Sequence, residues 1–236
     1  MTSPSIQIVN DSNINFLSKL NDLYMFDFIY ADCMYEDTNM DWVYWCANRL
    51  KDNGIFIIQT DYHTVAEYKI LLDSLEGEHN KPLLTFVNWL IYMNNWGGTP
   101  KNRFAQKHDD ILIYCKGKKW KWYPDRIQIP KSTAGTSFDK KGTGTKTPPS
   151  VFYDKVSFST ISKERVEIDD SNFPMQKPEW LMERLLLPFT DEGDSVLDVF
   201  MGTGTLGVVS KKCNRNYLGL EIATPVYEAA KKRIFE

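Results

Sequence analysis

The residues of this chain best spaced to do chemistry on a ligand lie near its C-terminal end. Ser195–Phe200 reads as a short buried strand carrying Asp198. Gly202, Thr203, Gly204 and Thr205 follow, then a helical stretch, then a second strand that ends at Glu221. Glycines there let the backbone turn tightly and approach a ligand closely. The N-terminus of the helix behind them offers free N–H groups. A carboxylate at the end of the next strand can accept hydrogen bonds from ribose hydroxyls. A second cluster, Ala31-Asp32-Cys33-Met34-Tyr35, is an acidic-aromatic turn that closes an apolar strand near the N-terminus.

These clusters need a sheet to position them, and the order of the chain constrains that sheet. After Glu221 only one helix-like run remains, so the strands that complete a cofactor sheet must come from upstream. The spacing predicts strands at Phe26–Asp32, Gly54–Asp61, Val87–Asn94, Asp110–Cys115, Ser195–Phe200 and Tyr217–Ile222. Several are apolar throughout, as in strands covered on both faces. Helices are predicted over Asp41–Leu50, over Pro178–Pro188, and from Pro225 with Thr224 as N-cap. In the last, Val226, Ala229, Ala230 and Ile234 form one apolar stripe. Strands alternating with helices indicate a layered α/β domain over 1–236. Residues 131–173, rich in Lys, Ser, Thr, Gly and Pro, break the pattern and read as a long mobile loop or small insertion.

Bulk composition narrows the class. The chain has 236 residues, 42% of them hydrophobic, enough for a sizeable core, and a net charge of −3, so contact with a polyanion needs a local basic patch. Cys33, Cys46, Cys115 and Cys213 are scattered, without the spacing of a zinc site or a disulfide framework. No metal is expected. The N-terminal residues lack the basic and apolar regions of a signal peptide, and no run approaches a membrane span. A cytoplasmic protein is the expectation.

Gly202, Gly204 and Gly207 satisfy the dinucleotide spacing, so a nicotinamide-dependent oxidoreductase is a rival reading. Against it stand Asp198 inside the strand, the bulky Phe200 before the glycines, and the absence of a downstream second half.

Leu197 through Thr205, then Arg215 through Glu221, resemble the S-adenosylmethionine loop of amino-group DNA methyltransferases, and Gln176-Lys177-Pro178 resembles that family's segment at the methionine end of the cofactor. The chain order, with the catalytic motif first and the cofactor loop last, is that of the β class. The resemblance implies a circularly permuted, Rossmann-like α/β methyltransferase fold, with a mixed sheet flanked by helices and residues 131–173 as a target-recognition insertion. It implies a site-specific enzyme, in a bacterial, phage or viral setting, that methylates adenine N6 in double-stranded DNA, with cytosine N4 as the alternative. Gln176, Lys177, Asp198, Phe200, Gly202, Thr203, Gly204, Thr205 and Glu221 would hold S-adenosylmethionine. A homodimer is common in this class, and the resemblance implies a restriction-modification setting.

The family's catalytic motif is Asp-Pro-Pro-Tyr, and here it is Asp32-Cys33-Met34-Tyr35. An exocyclic amino nitrogen is a poor nucleophile because its lone pair is conjugated with the ring. The resemblance assigns the Asp32 carboxylate and the Cys33 carbonyl as acceptors that redirect that lone pair, and Tyr35 as the ring that stacks on a flipped base. Losing both prolines keeps the carbonyl but removes the fixed φ, so an active site and a decayed, DNA-binding subunit are both compatible with the turn. Cys33 as a covalent nucleophile is disfavoured by its place before the cofactor loop; it reads as a small packing residue.

Two basic stretches are candidates for DNA. Lys116, Lys118, Lys119, Trp120, Lys121 and Arg126 interleave cations with aromatics, which suits phosphate contact with stacking; a charged strand end is the plain alternative. Lys101 and Arg103, beside Trp96, form a second. His63, His79 and His108 each stand alone and read as ordinary surface or core residues, while the Gln59–His63 segment could wall a pocket.

Overall fold

The computed structural model describes residues 3–33, 39–94, 98–153, 164–168, 171–173 and 175–236. In chain order they form β1 (Ile6–Asn10), α1 (Asn13–Lys19), β2 (Phe26–Asp32), α2 (Asp41–Arg49), β3 (Leu50–Thr60), α3 (Val65–Ser74), β4 (Thr85–Met93) and β5 (His108–Cys115). Short strands follow: β6 (Ile129–Pro130), β7 (Thr145–Lys146), β8 (Val151–Phe152), β9 (Glu167–Ile168) and β10 (Ser171–Asn172). The chain closes with α4 (Glu179–Leu186), β11 (Ser195–Asp198), α5 (Thr205–Lys212), β12 (Asn216–Glu221) and α6 (Thr224–Phe235).

One eight-stranded sheet has the order β1-β12-β11-β2-β3-β5-β4-β8. β1, β12, β11, β2 and β3 run parallel; β5 is antiparallel to both β3 and β4. The strands nearest the C-terminus thus sit in the middle of the sheet beside β2, as the permuted reading requires. The central stretches of β2 and β3, Phe28–Ala31 and Ile55–Ile58, are apolar on both faces, as fits strands covered by helices on either side. Ile29, Ala31, Phe56 and Ile58 pack with Leu17 of α1, Trp42 of α2 and Tyr68 of α3. Phe28, Tyr30, Ile55 and Ile57 face the other way, onto Leu185 of α4, Val209 of α5 and Ile234 of α6.

The helices read from the sequence form within one or two residues of their expected ends. Pro178 is the N-cap of α4 rather than a first-turn residue, and Ala223, not Thr224, caps α6. The Thr224 hydroxyl instead donates to Asn10 Oδ1 at 3.0 Å. β1, α1 and α3 were not foreseen. The described part of 131–173 is not irregular throughout: β6 pairs with β7, and β8 extends the main sheet beside β4.

Candidate active site

The direction in which successive strands are added across the sheet reverses between the parallel strands β11 and β2: β11 leads through α5 to β12 on one side, and β2 leads through α2 to β3 on the other. Such switch points leave a crevice at the carboxyl ends of the strands. A cavity of about 660 Å³ lies there, within the range of sites for nucleoside-sized ligands. It is lined by Asp32 and Cys33 from the end of β2 and by Asp198 to Thr203, Thr205 and Glu221 from the C-terminal loop and strand. Gln176 and Lys177 line it too. The structure therefore brings together both chemistry-bearing clusters. Met34 and Tyr35 lie outside the described residues.

Local structure explains the loop. Gly202 and Gly204 have φ of +53° and +76°, which side-chain-bearing residues rarely adopt. A Cβ on Gly204 would also lie 2.7 Å from Ile234 Cδ1, so this glycine lets α6 pack against the loop. Phe200 meets Trp42 edge-on, with ring centroids 5.2 Å apart. Glu221 pins the loop: its Oε2 accepts the Gly202 N–H at 3.0 Å and its Oε1 the Ala223 N–H at 2.8 Å. The Thr205 hydroxyl donates to the Lys177 carbonyl at 3.0 Å. Gln176 is tied to 164–166, accepting the Val166 N–H at 2.9 Å and donating to the Glu164 carbonyl at 2.5 Å.

Four buried or half-buried ionisable groups define the electrostatics. Asp198 is buried; its Oδ2 accepts the Tyr217 hydroxyl at 3.0 Å, while Oδ1 has no hydrogen-bond partner among the described residues. Burial pushes its pKa up to about 8, opposed by the Tyr217 bond and reinforced by the charges of Asp32 and Glu221. Burial also raises the pKa of Asp32, and Lys177 pulls it back. The Lys177 ammonium lies 2.8 Å from Asp32 Oδ2 and 3.4 Å from Asp109 Oδ2.

Cys33 is buried, and its N–H donates to the Gln59 carbonyl at 2.9 Å, extending the β2–β3 ladder one residue past the strand. This fits a packing role. Residues not foreseen also enter the cavity. Asp11, Ser12 and Asn13, at the start of α1, line its edge beside Ile222 and Ala223. Ser12 caps that helix by accepting the Asn15 N–H, so an Asp-Ser pair ahead of a helical run was the available signal.

The two basic stretches part company. β5 runs antiparallel to β3, so Cys115 pairs with Ile55 at the sheet edge remote from Asp32. Lys116 through Arg126 follow from that edge, and the structure does not bring them to the cavity. Several are occupied: Lys121 pairs with Asp191 and Asp194, Arg126 with Asp191, and Trp120 packs on the core. The Lys116 ammonium bonds the Asn48 carbonyl, and Lys118 and Lys119 are exposed. Lys101 and Arg103, by contrast, sit in the loop between β4 and β5, at the same edge as Asp32. Both are exposed, and Phe104 beside them is fully so. A second cavity there, about 520 Å³, is lined by Tyr62, Arg103, Phe104 and Gln106 among others. His63 pairs with Asp61 at 2.6 Å, His108 lies 3.9 Å from Asp110, and His79 is exposed. Among the described residues no cluster of His, Cys, Asp and Glu could hold a metal ion, and no helix is long and apolar enough to cross a membrane.

A permuted α/β sheet with a carboxylate-lined crevice at its switch point defines a nucleotide-cofactor enzyme fold of the methyltransferase type. Residues 31–232 match the model of the N6/N4 DNA methylase family, and the chain belongs to that family. It is 31% identical over 202 residues to the Type II methyltransferase M.HpaI of Haemophilus parainfluenzae, covering 85% of this chain and 59% of that protein. With the Type II methyltransferase M2.LlaDCHI of Lactococcus lactis subsp. cremoris it shares 44% identity over 200 residues, 84% of this chain and 66% of that one. The chain thus spans roughly three fifths to two thirds of these relatives' length. Its fold is like that of M1.HpyAVI, solved as a complex with SAM, with a TM-score of 0.70 at 22% identity, covering 97% of this chain and 99% of that one. The cytosine-N4-specific PvuII DNA methyltransferase gives a TM-score of 0.69 at 14% identity, covering 99% and 88%.

Proposed function

We propose that this chain transfers a methyl group from S-adenosylmethionine to an exocyclic amino group in DNA, adenine N6 foremost and cytosine N4 as the alternative. The observation that carries the proposal is the single cavity at the switch point, which joins the Asp32 turn to the Asp198–Glu221 loop in a chain of the DNA methylase family.

The residues present fit the cofactor. Asp198 offers a buried, unpartnered carboxylate oxygen, Glu221 ends β12 where ribose hydroxyls are bound in such sheets, and Phe200, Ile222 and Val226 supply apolar walls. When bound, S-adenosylmethionine supplies an already activated sulfonium methyl, so positioning is the main task left to the protein. Asp32 accepts one amino N–H and the Cys33 carbonyl the other, which turns the nitrogen lone pair out of conjugation. The Cys33–Gln59 backbone bond holds that carbonyl in place of the missing prolines. Tyr35 stacks on the target base, flipped out of the duplex. Lys101 and Arg103 hold the phosphate backbone at the same edge, and 131–173 contributes to sequence choice. A homodimer is proposed on the family resemblance alone; sedimentation velocity at several concentrations tests it.

The test is to incubate the protein with methyl-labelled S-adenosylmethionine and unmethylated plasmid DNA. Label entering DNA supports the proposal. Cofactor binding without transfer, on DNA of diverse sequence, would favour the decayed-subunit reading that the Cys33-Met34 departure keeps in play.

A further inference from the structure

We propose that Lys177 and Asp109 are positioning residues for Asp32: Lys177 holds one carboxylate oxygen, leaving the other for the target amino group, and Asp109 holds Lys177. The proposal rests on the methyl-transfer reading of the site.

The geometry carries it. Lys177 is only 9% exposed, yet its ammonium reaches Asp32 Oδ2 at 2.8 Å, inside the same cavity that Asp32 lines. On the far side, Asp109 Oδ2 lies 3.4 Å from the ammonium and also accepts the Gln59 side-chain amide at 2.8 Å. Asp109 Oδ1 accepts Asn94 Nδ2 at 2.9 Å, and Gln59 Oε1 accepts the Tyr30 hydroxyl at 2.8 Å. Asp109 is thus clamped by two neighbouring strands before it meets Lys177. A buried hydrogen-bonded network of this kind locks the rotamer of its terminal member. That is what a turn without its two prolines lacks.

Charge points the same way. Asp32 is faced by Asp109 from β5, Asp198 from β11, Tyr92 from β4 and Tyr30 from its own strand. Lys177 is the cation that acts on Asp32, while Arg165 acts on Tyr92. Burial and like charges favour a protonated Asp32, and a neutral carboxyl is a poorer acceptor. Lys177 opposes this. Its backbone carbonyl also accepts the Thr205 hydroxyl, so the residue that orients Asp32 is attached to the cofactor loop.

The test is the titration of the Asp32 carboxyl, followed by carbon NMR of aspartate-labelled protein, with Asp32→Asn to assign the signal. Lys177→Met should raise the midpoint by about one pH unit or more, and Lys177→Arg should restore it. Asp109→Asn removes a like charge but also loosens Lys177, so it should lower the midpoint less in the wild type than in Lys177→Met; an equal lowering in both would remove Asp109 from the clamp. An unchanged midpoint in Lys177→Met overturns the proposal; if that variant does not fold, an unchanged midpoint in Lys177→Gln does so. Where transfer is measured, Lys177→Met should lower kcat about tenfold and move its acid limb upward. A wild type that never methylates DNA sinks the transfer reading, while the NMR midpoints still decide the pairing.

Discussion

Asp198 carries a charge problem that a ligand can resolve. Its folded pKa, about 8, lies far above that of an exposed aspartate. The unfolded chain loses this proton near pH 4 and the folded chain keeps it to about 8, so the folded state binds more protons between those values. Stability of the ligand-free protein should then fall as pH rises from 5 to 8. Thermal melts should show a smaller loss over that range in Asp198→Asn; an identical loss would remove Asp198 as its source. Cys33 gives a second residue-scale test. Its N–H is bonded to the Gln59 carbonyl, so restoring the family's proline by Cys33→Pro removes that bond and should destabilise the protein by about 1 kcal/mol. An increase in Tm would show that the rigidity of proline outweighs it. Asp32, Asp198 and Glu221 were legible in the sequence because strand ends and glycines mark them. The Lys177–Asp109 contact was not, since residues 68 positions apart meet only once β5 and the segment before α4 are placed.

At the scale of elements, the glycine loop and the helix behind it act as a unit. Gly204 adopts a positive φ and lies under Ile234 of α6, so Gly204→Ala should cost about 1–3 kcal/mol and weaken cofactor binding in calorimetry. Near-wild-type stability and affinity would show that the loop tolerates another conformation. β1 does less visible work. It pairs in parallel with β12 and delivers Asn10, whose side-chain amide donates to the carbonyls of Glu221 and Ile222. That strand was missed because five residues of mixed polarity at a chain end give little periodic signal, whereas β2 and β3, buried on both faces, announce themselves as apolar runs. α3 escaped for a related reason: Tyr68 and Leu72 face the core, but exposed Ile70 blurs the stripe.

At the scale of the molecule, the sheet decides which basic segment shares an edge with Asp32. The sequence shows both stretches but not the direction of β5, and that direction carries Lys116–Arg126 to the opposite edge. Double replacement of Lys101 and Arg103 by alanine should weaken DNA binding and reduce the slope of log affinity against log salt by about one to two. The same replacement of Lys118 and Lys119 should leave both nearly unchanged, and the reverse pattern would move the DNA face to the other edge. The central claim is that Asp32 directs methyl transfer to an amino group of DNA. Nucleoside mass analysis of unmethylated DNA, treated with S-adenosylmethionine and either the wild type or Asp32→Ala, tests it most directly. N6-methyladenine or N4-methylcytosine from the wild type and none from the variant is the expected result. Equal methylation by both proteins would contradict it.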